Sequence, residues 1–79
     1  MSTQPPVTPR IRRSTVPARD AQVGQIVSYE DMANPAEFYT VIGHVTDAWG
    51  TQARLVAHST GLVTTSSLRG AGWVVAEVA

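Results

Sequence analysis

The alternation of apolar and polar positions is clearest over residues 38–45, which read Phe-Tyr-Thr-Val-Ile-Gly-His-Val. β-Branched and aromatic residues of this kind fit a half-buried, pleated surface. Every second residue of a strand points to the same face, so Val41 and Val45 would face a core and His44 would point away from it. Gly43 indicates a bend or β-bulge partway along the strand.

Four shorter apolar stretches predict partner strands over residues 23–29, 51–58, 62–65 and 73–78. The last stretch is nearly all apolar, which predicts burial on both faces or pairing with the first strand. Turn-forming residues separate the stretches. Between them we expect one short helical turn capped by Asn34 and one 3₁₀ turn around Leu68.

Five short strands in so small a domain would expose two sheet edges unless the sheet curls and closes. A long acidic first loop, a three-strand meander, a short connector and a closing strand together resemble an SH3-like small barrel. The opening Val23-Gly24-x-x-Val27 also resembles the start of a KOW-type barrel, as in some transcription and ribosomal proteins. The resemblance implies an all-β fold, with residues 21–79 forming a five-stranded SH3-like barrel.

The first 20 residues have a different composition from the rest. They hold four of the five prolines and four of the six arginines. Proline restricts the backbone, and the segment alone buries too little apolar surface to offset its conformational entropy. We therefore expect residues 1–20 to be an extended, flexible arm attached to the barrel.

The formal net charge of zero conceals a separation of charge. Residues 1–20 carry +3 and residues 21–79 carry −3, and all six basic residues are arginine. A basic arm on an acidic body is typical of an interaction segment. Arginine without lysine is what a GC-rich genome encodes, such as that of an actinobacterium or one of its phages.

Length and composition set further bounds. A chain of 79 residues without cysteine forms one small domain that has no disulfides and no cysteine metal site. A core of this size supplies roughly 3–5 kcal/mol, so assembly or a partner would help to stabilise it. We find no signal-peptide pattern and no apolar run of membrane-spanning length, so we expect a cytoplasmic protein, or a virion-associated one if phage-encoded.

The sequence does not favour catalysis. His44 and His58 lack further ligands at metal-binding spacing. Ser66 or Ser67 with His58 and Asp47 could be drawn as a hydrolytic triad, but serines in such a run are typical of turns and strands. We therefore predict that the protein is not an enzyme and has no metal or cofactor.

The leading functional hypothesis is protein–protein assembly, with a partner protein or a second copy. SH3-like barrels bind proline-rich, basic peptides between an acidic loop and aromatic residues, and residues 6–10 read Pro-Val-Thr-Pro-Arg. The arm would dock on its own barrel or on a neighbour's, as extended termini do in phage particles. The predicted contacts are Pro6, Pro9, Arg10, Ile11, Arg12 and Arg13 in the arm and Tyr29, Glu30, Asp31, Glu37, Tyr39 and Trp49 on the barrel.

The alternative hypothesis is nucleic-acid binding. The arginines of residues 10–13 could pair with phosphates, while Tyr29, Trp49 or Trp73 could stack on bases. The acidic body and a sequence pI near 6.7 count against this function. The sequence leaves open whether Trp73 is a core residue or a contact residue.

Overall fold

The computed structural model describes residues 10–78, which form six antiparallel strands in one open sheet. The sheet order is β1-β6-β2-β3-β4-β5. No helix occurs in these residues, so the predicted all-β class is confirmed. The strands are β1 (Ile11–Pro17), β2 (Ile26–Tyr29), β3 (Glu37–Asp47), β4 (Gly50–Ala57), β5 (Val63–Ser66) and β6 (Trp73–Val78).

The sequence predicts five strands, but the structure has six because part of the predicted flexible arm forms β1. β1 pairs with β6 at the other end of the chain, with Ile11 opposite Val78. Ala18 and Ala21 after it are buried. Ile11–Pro17, which the sequence assigns to the flexible arm, is therefore part of the sheet. A local pattern cannot reveal a pairing so distant in sequence.

The sheet is open, with β1 and β5 at its edges. A strand has only two edges, and β1 and β2 occupy both edges of β6. In a closed five-stranded barrel, β5 would pair with the edge of β6 that β1 occupies here. The predicted pairing of the first and last barrel strands, β2 and β6, is confirmed, whereas residues 10–78 do not form the closed five-stranded arrangement.

The core lies on one face of the sheet, where loop residues cover the central strands. Val27, Val41 and Leu55 are fully buried. Val41 lies opposite Leu55 in the β3–β4 pairing, which brings their side chains to the same face. The remaining buried members of this cluster are Ala18, Ala21, Ala53 and Leu68.

A β-bulge interrupts the longest strand at the predicted position. The β3–β4 register shifts between Val41 and Gly43, which confirms the bulge. An extra residue inverts the alternation beyond it, so His44 lies opposite the buried Ala53. Val45 is 41% exposed, so its predicted place against the core is wrong. His44 is exposed, as predicted, although it lies opposite Ala53.

The two predicted local turns differ from those observed. The segment around Asn34 is a series of bends without a helical turn. The carboxylate of Asp31 accepts hydrogen bonds from the backbone N–H groups of Ala33 and Asn34, which satisfies donors that a helix would have used. Leu68 is buried in a hydrogen-bonded turn that is not a 3₁₀ helix.

Candidate functional site

Three aromatic side chains meet where β2, β3 and β6 lie side by side. The ring centroids of Tyr29 and Trp73 are 5.0 Å apart, and those of Tyr39 and Trp73 are 5.4 Å apart. The register causes this meeting, because Tyr29 lies directly opposite Trp73. All three residues are only partly buried. We call Tyr29, Tyr39 and Trp73 the aromatic cluster, and it offers apolar ring surface at the edge of the core.

A shallow groove lies beside the aromatic cluster. Its lining residues are Tyr29, Asn34, Pro35, Glu37 and Tyr39. Glu37 lies opposite Tyr29 in the β2–β3 pairing, which places a carboxylate next to the rings. The carboxylate Oε1 accepts a weak hydrogen bond from the Ser59 backbone N–H at 3.3 Å, which holds the side chain near β4. The groove therefore combines aromatic surface, one proline and one negative charge.

The loop of residues 30–36 forms one wall of the groove. The carboxylate of Asp31 stabilises the conformation of this loop. Its Oδ1 accepts hydrogen bonds from the Ala33 N–H at 2.8 Å and the Asn34 N–H at 2.7 Å. The hydrogen bond from Ala33, followed by that from the Asn34 side chain, lowers the pKa of Asp31 below its ordinary value. Asp31 therefore stays ionised at neutral pH while it fixes the loop that carries Asn34 and Pro35.

The hydroxyl of Tyr39 is kept neutral. Burial raises the pKa of Tyr39 above its ordinary value, and the carboxylate of Glu37 raises it further. The phenol therefore remains protonated throughout the physiological range. A protonated phenol can donate a hydrogen bond to a carbonyl group of a ligand in the groove.

Arg13 ties the edge strand to the acidic loop. Its Nη1 donates to Glu30 Oε2 at 2.7 Å, and its Nη2 donates to the Gly72 carbonyl at 2.9 Å. The Arg13 and Glu30 side chains are 28% and 49% exposed. This is the one ion pair within residues 10–78. It commits both predicted contact residues to a structural link, so neither is fully available to a partner.

Gly72 permits the close approach on which this link depends. Its φ is +96°, and a Cβ atom there would lie 2.8 Å from the Glu30 carbonyl oxygen and 3.2 Å from the Tyr29 ring. Glycine alone adopts this backbone conformation readily and leaves that space empty. The turn before β6 can therefore pack against the junction of β2 and the acidic loop.

The remaining predicted arm residues lie away from the groove or beyond the described residues. Pro6 and Pro9 are outside the residues that the structure describes. Arg10 and Arg12 are exposed, and Arg12 lies opposite Glu77. Ile11 is half-buried opposite Val78, at the opposite end of β6 from Trp73.

Trp49 does not join the site. It lies in the β3–β4 turn, is 90% exposed, and donates its backbone N–H to Asp47 Oδ1. Tyr39 is eight residues before Asp47 on β3, a separation of roughly 26 Å in a strand. Trp49 is therefore an isolated exposed tryptophan at the far tip of the longest hairpin.

One residue outside the predicted contact set belongs with the aromatic cluster. Trp73 packs against the two tyrosines of the cluster, and the pairing of β6 with β2 that places it there is not visible in local sequence. Met32 is fully exposed in the same loop as Asn34 and Pro35 but does not line the groove.

The residues considered for catalysis or metal binding do not come together. His58 Nε2 is 2.7 Å from Thr40 Oγ1, and Asp47 contacts the backbone at the other end of the β3–β4 hairpin. His44 Nε2 is 3.1 Å from the Ala21 carbonyl, and Ser66 Oγ is 3.4 Å from the Ser67 carbonyl. Within residues 10–78, no three histidine or acidic side chains group as a metal site requires.

A separate basic cleft was not anticipated from the sequence. Arg19 and Arg69, from different loops, line the same small cavity of about 60 Å³, together with His44 and Gln52. Neither arginine forms an ion pair within the described part of the chain. The cleft lies at the Leu68 side of the core, and an adjoining depression that Arg19 and Arg69 also line extends to Trp73 of the aromatic cluster.

No protein-family model matches the chain, and neither a curated protein nor a solved structure matches it. Residues 10–78 contain no helix long and apolar enough to cross a membrane.

Proposed function

We propose that this protein is a non-catalytic assembly module whose groove binds a proline-rich, basic segment of a protein. The observation that carries the proposal is the aromatic cluster of Tyr29, Tyr39 and Trp73 beside the Glu37 carboxylate. Proline-rich segments bind aromatic-lined grooves because their extended helix is already formed and loses little entropy on binding. The module would act in the cytoplasm, or in the virion if phage-encoded.

An SH3-like architecture is part of this proposal. Without β1, the sheet order is β6-β2-β3-β4-β5, in which a meander follows the first barrel strand and the last strand pairs with the first. The acidic loop between β2 and β3 and the turn before β6 occupy the places that the resemblance expects for them. β1 would then be an addition on the free edge of β6.

The expected energetics favour ring contacts over charge. Exposed ion pairs contribute less than about 1 kcal/mol each, so Glu37 and Asp31 would select a basic ligand and add little affinity. Burial of proline rings against aromatic faces would supply the larger part of the binding free energy, at about 25 cal/mol for each Å² of apolar surface removed from water.

The proposal is tested by the fluorescence of Trp73 in the full chain carrying Trp49→Phe, which leaves one tryptophan. The same chain carries Pro6→Ala, Pro9→Ala and Arg10→Glu, so that its own proline-rich segment does not compete with the added peptide. A synthetic peptide Pro-Pro-Val-Thr-Pro-Arg-Ile-Arg should shift the emission, and the same peptide with alanine at each proline should not. An equal response to both peptides, or none to either, would refute the groove as a proline-recognition site.

The second candidate is nucleic-acid binding, which the convergence of Arg19 and Arg69 on one cleft favours. Phosphate contacts by arginine make affinity fall steeply with salt. Fluorescence anisotropy of labelled single-stranded DNA and RNA across a salt series would detect such binding. Under this function, Arg19→Gln with Arg69→Gln should weaken it, whereas Glu37→Gln should have no effect.

A further inference from the structure

The groove lies next to Trp73 at the start of β6, whereas β1 begins at Ile11, opposite Val78 at the end of β6. This separation decides which copy the residues before Ile11 can reach. Resting on the proposed function, we infer that residues 6–10 of one copy occupy the groove of a second copy, not their own. The inference concerns the identity of the ligand: a second copy of this chain.

The strand register separates the two features. β1 and β6 are antiparallel, with Ile11 opposite Val78. At the other end of the pair, the Ala18 N–H donates to the Trp73 carbonyl. Trp73 is five residues before Val78, a separation of roughly 17 Å along a strand. The chain preceding Ile11 therefore begins at the end of the sheet that lies away from the aromatic cluster.

The covalent tether is too short to span this separation within one copy. A chain covers at most about 3.6 Å per residue, so Pro9 can lie no more than roughly 7 Å from Ile11. Pro6 reaches roughly 18 Å only if every intervening residue is fully extended toward the groove. The Pro6–Pro9 segment therefore cannot lie along the groove of its own copy.

Side-chain contacts prevent β1 from sliding to shorten the distance. Ser14 Oγ donates to the Val75 carbonyl at 2.6 Å. The guanidinium group of Arg13 donates hydrogen bonds to the Glu30 carboxylate and to the Gly72 carbonyl. A shift of β1 toward Trp73 would break all three hydrogen bonds, so the starting point of the arm is fixed relative to the groove.

The charges of the two surfaces remain complementary between copies. Arg10 and Arg12 are exposed and form no ion pair within residues 10–78. Glu37 lines the groove and Asp31 is exposed beside it, whereas Glu30 is already paired with Arg13. Arg10 and Arg12 can therefore pair with Glu37 and Asp31 of a second copy, which the Arg13–Glu30 ion pair leaves free.

The test uses complementary defects in full-length chains. The arm variant carries Pro6→Ala, Pro9→Ala and Arg10→Glu, and Arg10 precedes β1. The groove variant carries Glu37→Arg, with Tyr29→Ala as a second version, and circular dichroism verifies that each variant is folded. Solution mass is measured by light scattering for each variant alone and for an equimolar mixture.

The inference predicts that the wild-type chain associates and that each variant alone is a monomer. The mixture should form a dimer of twice the monomer mass, since one intact arm meets one intact groove. Wild type should form a closed dimer if two copies exchange arms, or a ring or chain if the contact runs head to tail. Full-length Trp49→Ala should associate as wild type does.

A mixture that stays monomeric, or a wild-type chain that is monomeric at every concentration, would overturn the inference. So would loss of association in Trp49→Ala, because the exposed tryptophan would then be the contact.

The synthetic peptide added to the arm variant distinguishes the proposed groove function from the inference that a second copy is the ligand. If the peptide binds while the mixture stays monomeric, the groove function stands and the second copy is not its ligand. If the peptide also fails to bind, both claims are wrong.

Discussion

Arg13 Nη1 lies 2.7 Å from Glu30 Oε2, which joins the edge strand β1 to the acidic loop that follows β2. The contact links a segment of the predicted basic arm to the predicted acidic surface within one copy. It also shows that changes at Arg13 alter the fold as well as any binding. Tests of assembly are therefore better placed at Arg10, which precedes the sheet.

The ion pair should make a measurable but small contribution to stability. We expect Arg13→Ala to lower the free energy of unfolding by about 1–2 kcal/mol, because it also removes the hydrogen bond to Gly72. Glu30→Gln should cost less than about 1 kcal/mol, since Glu30 is half exposed. Urea unfolding of both single variants and the double variant should give a coupling energy of about 0.5–1 kcal/mol. Strictly additive effects would show that the two side chains do not interact in solution.

Gly72 should be the least replaceable glycine near the site. Gly72→Ala forces a Cβ to 2.8 Å from the Glu30 carbonyl oxygen at a φ of +96°, and we expect a loss of about 2–4 kcal/mol. Gly70→Ala is the matched control, because its Cβ would meet only the Trp73 ring at 3.8 Å. Thermal unfolding compares the two, and equal midpoints would contradict this description of the turn.

Ser28 offers a test of an unsatisfied buried group. Its side chain is fully buried, and its hydroxyl has no hydrogen-bond partner within residues 10–78. Ser28→Ala should leave stability unchanged or raise it by up to about 1 kcal/mol, because it removes a desolvated polar atom. Ser14→Ala removes a hydroxyl that donates to Val75 and should cost about 1 kcal/mol. Chemical denaturation that ranks the two variants the other way would refute the assignment.

Asp31 should make stability depend on pH in the acid range. Its pKa is lower in the folded chain than in the unfolded chain, so its contribution is present above the unfolded value and is lost as pH falls through the folded value. Between about pH 6 and about pH 2.5, wild type should therefore lose more stability than Asp31→Asn, whose amide does not titrate. Urea midpoints at both pH values measure the difference. An identical loss in the two proteins would show that the Asp31 hydrogen bonds do not persist in solution.

Patterns of short range predicted most of the sheet. The alternation over residues 38–45 located β3, and Gly43 located its bulge, because both follow from the fit of side chains to a pleated strand. The final strand was predicted with the bounds that the structure has. The inverted faces after the bulge were missed, since the alternation alone does not show where the extra residue is accommodated.

Features that depend on distant pairing could not be predicted. β1 is a strand because β6 offers it a free edge, and the sequence of residues 11–17 contains no sign of that edge. Trp73 joins Tyr29 for the same reason, through the register of β2 and β6. The acidic loop and the tyrosines were predicted to form one surface. The ion pair between Glu30 and Arg13 could not be predicted, because it depends on the position of β1 in the sheet.

The most direct test follows the two tryptophan indole N–H resonances of the ¹⁵N-labelled arm variant, whose own groove is left open by the inference, as unlabelled proline-rich peptide is added. Trp73 lies in the aromatic cluster, and Trp49 lies at the remote tip of the β3–β4 hairpin, so one chain contains both probe and control. The account predicts that the Trp73 resonance moves with peptide concentration while the Trp49 resonance stays in place. Movement of Trp49 alone, or of neither resonance, would contradict it.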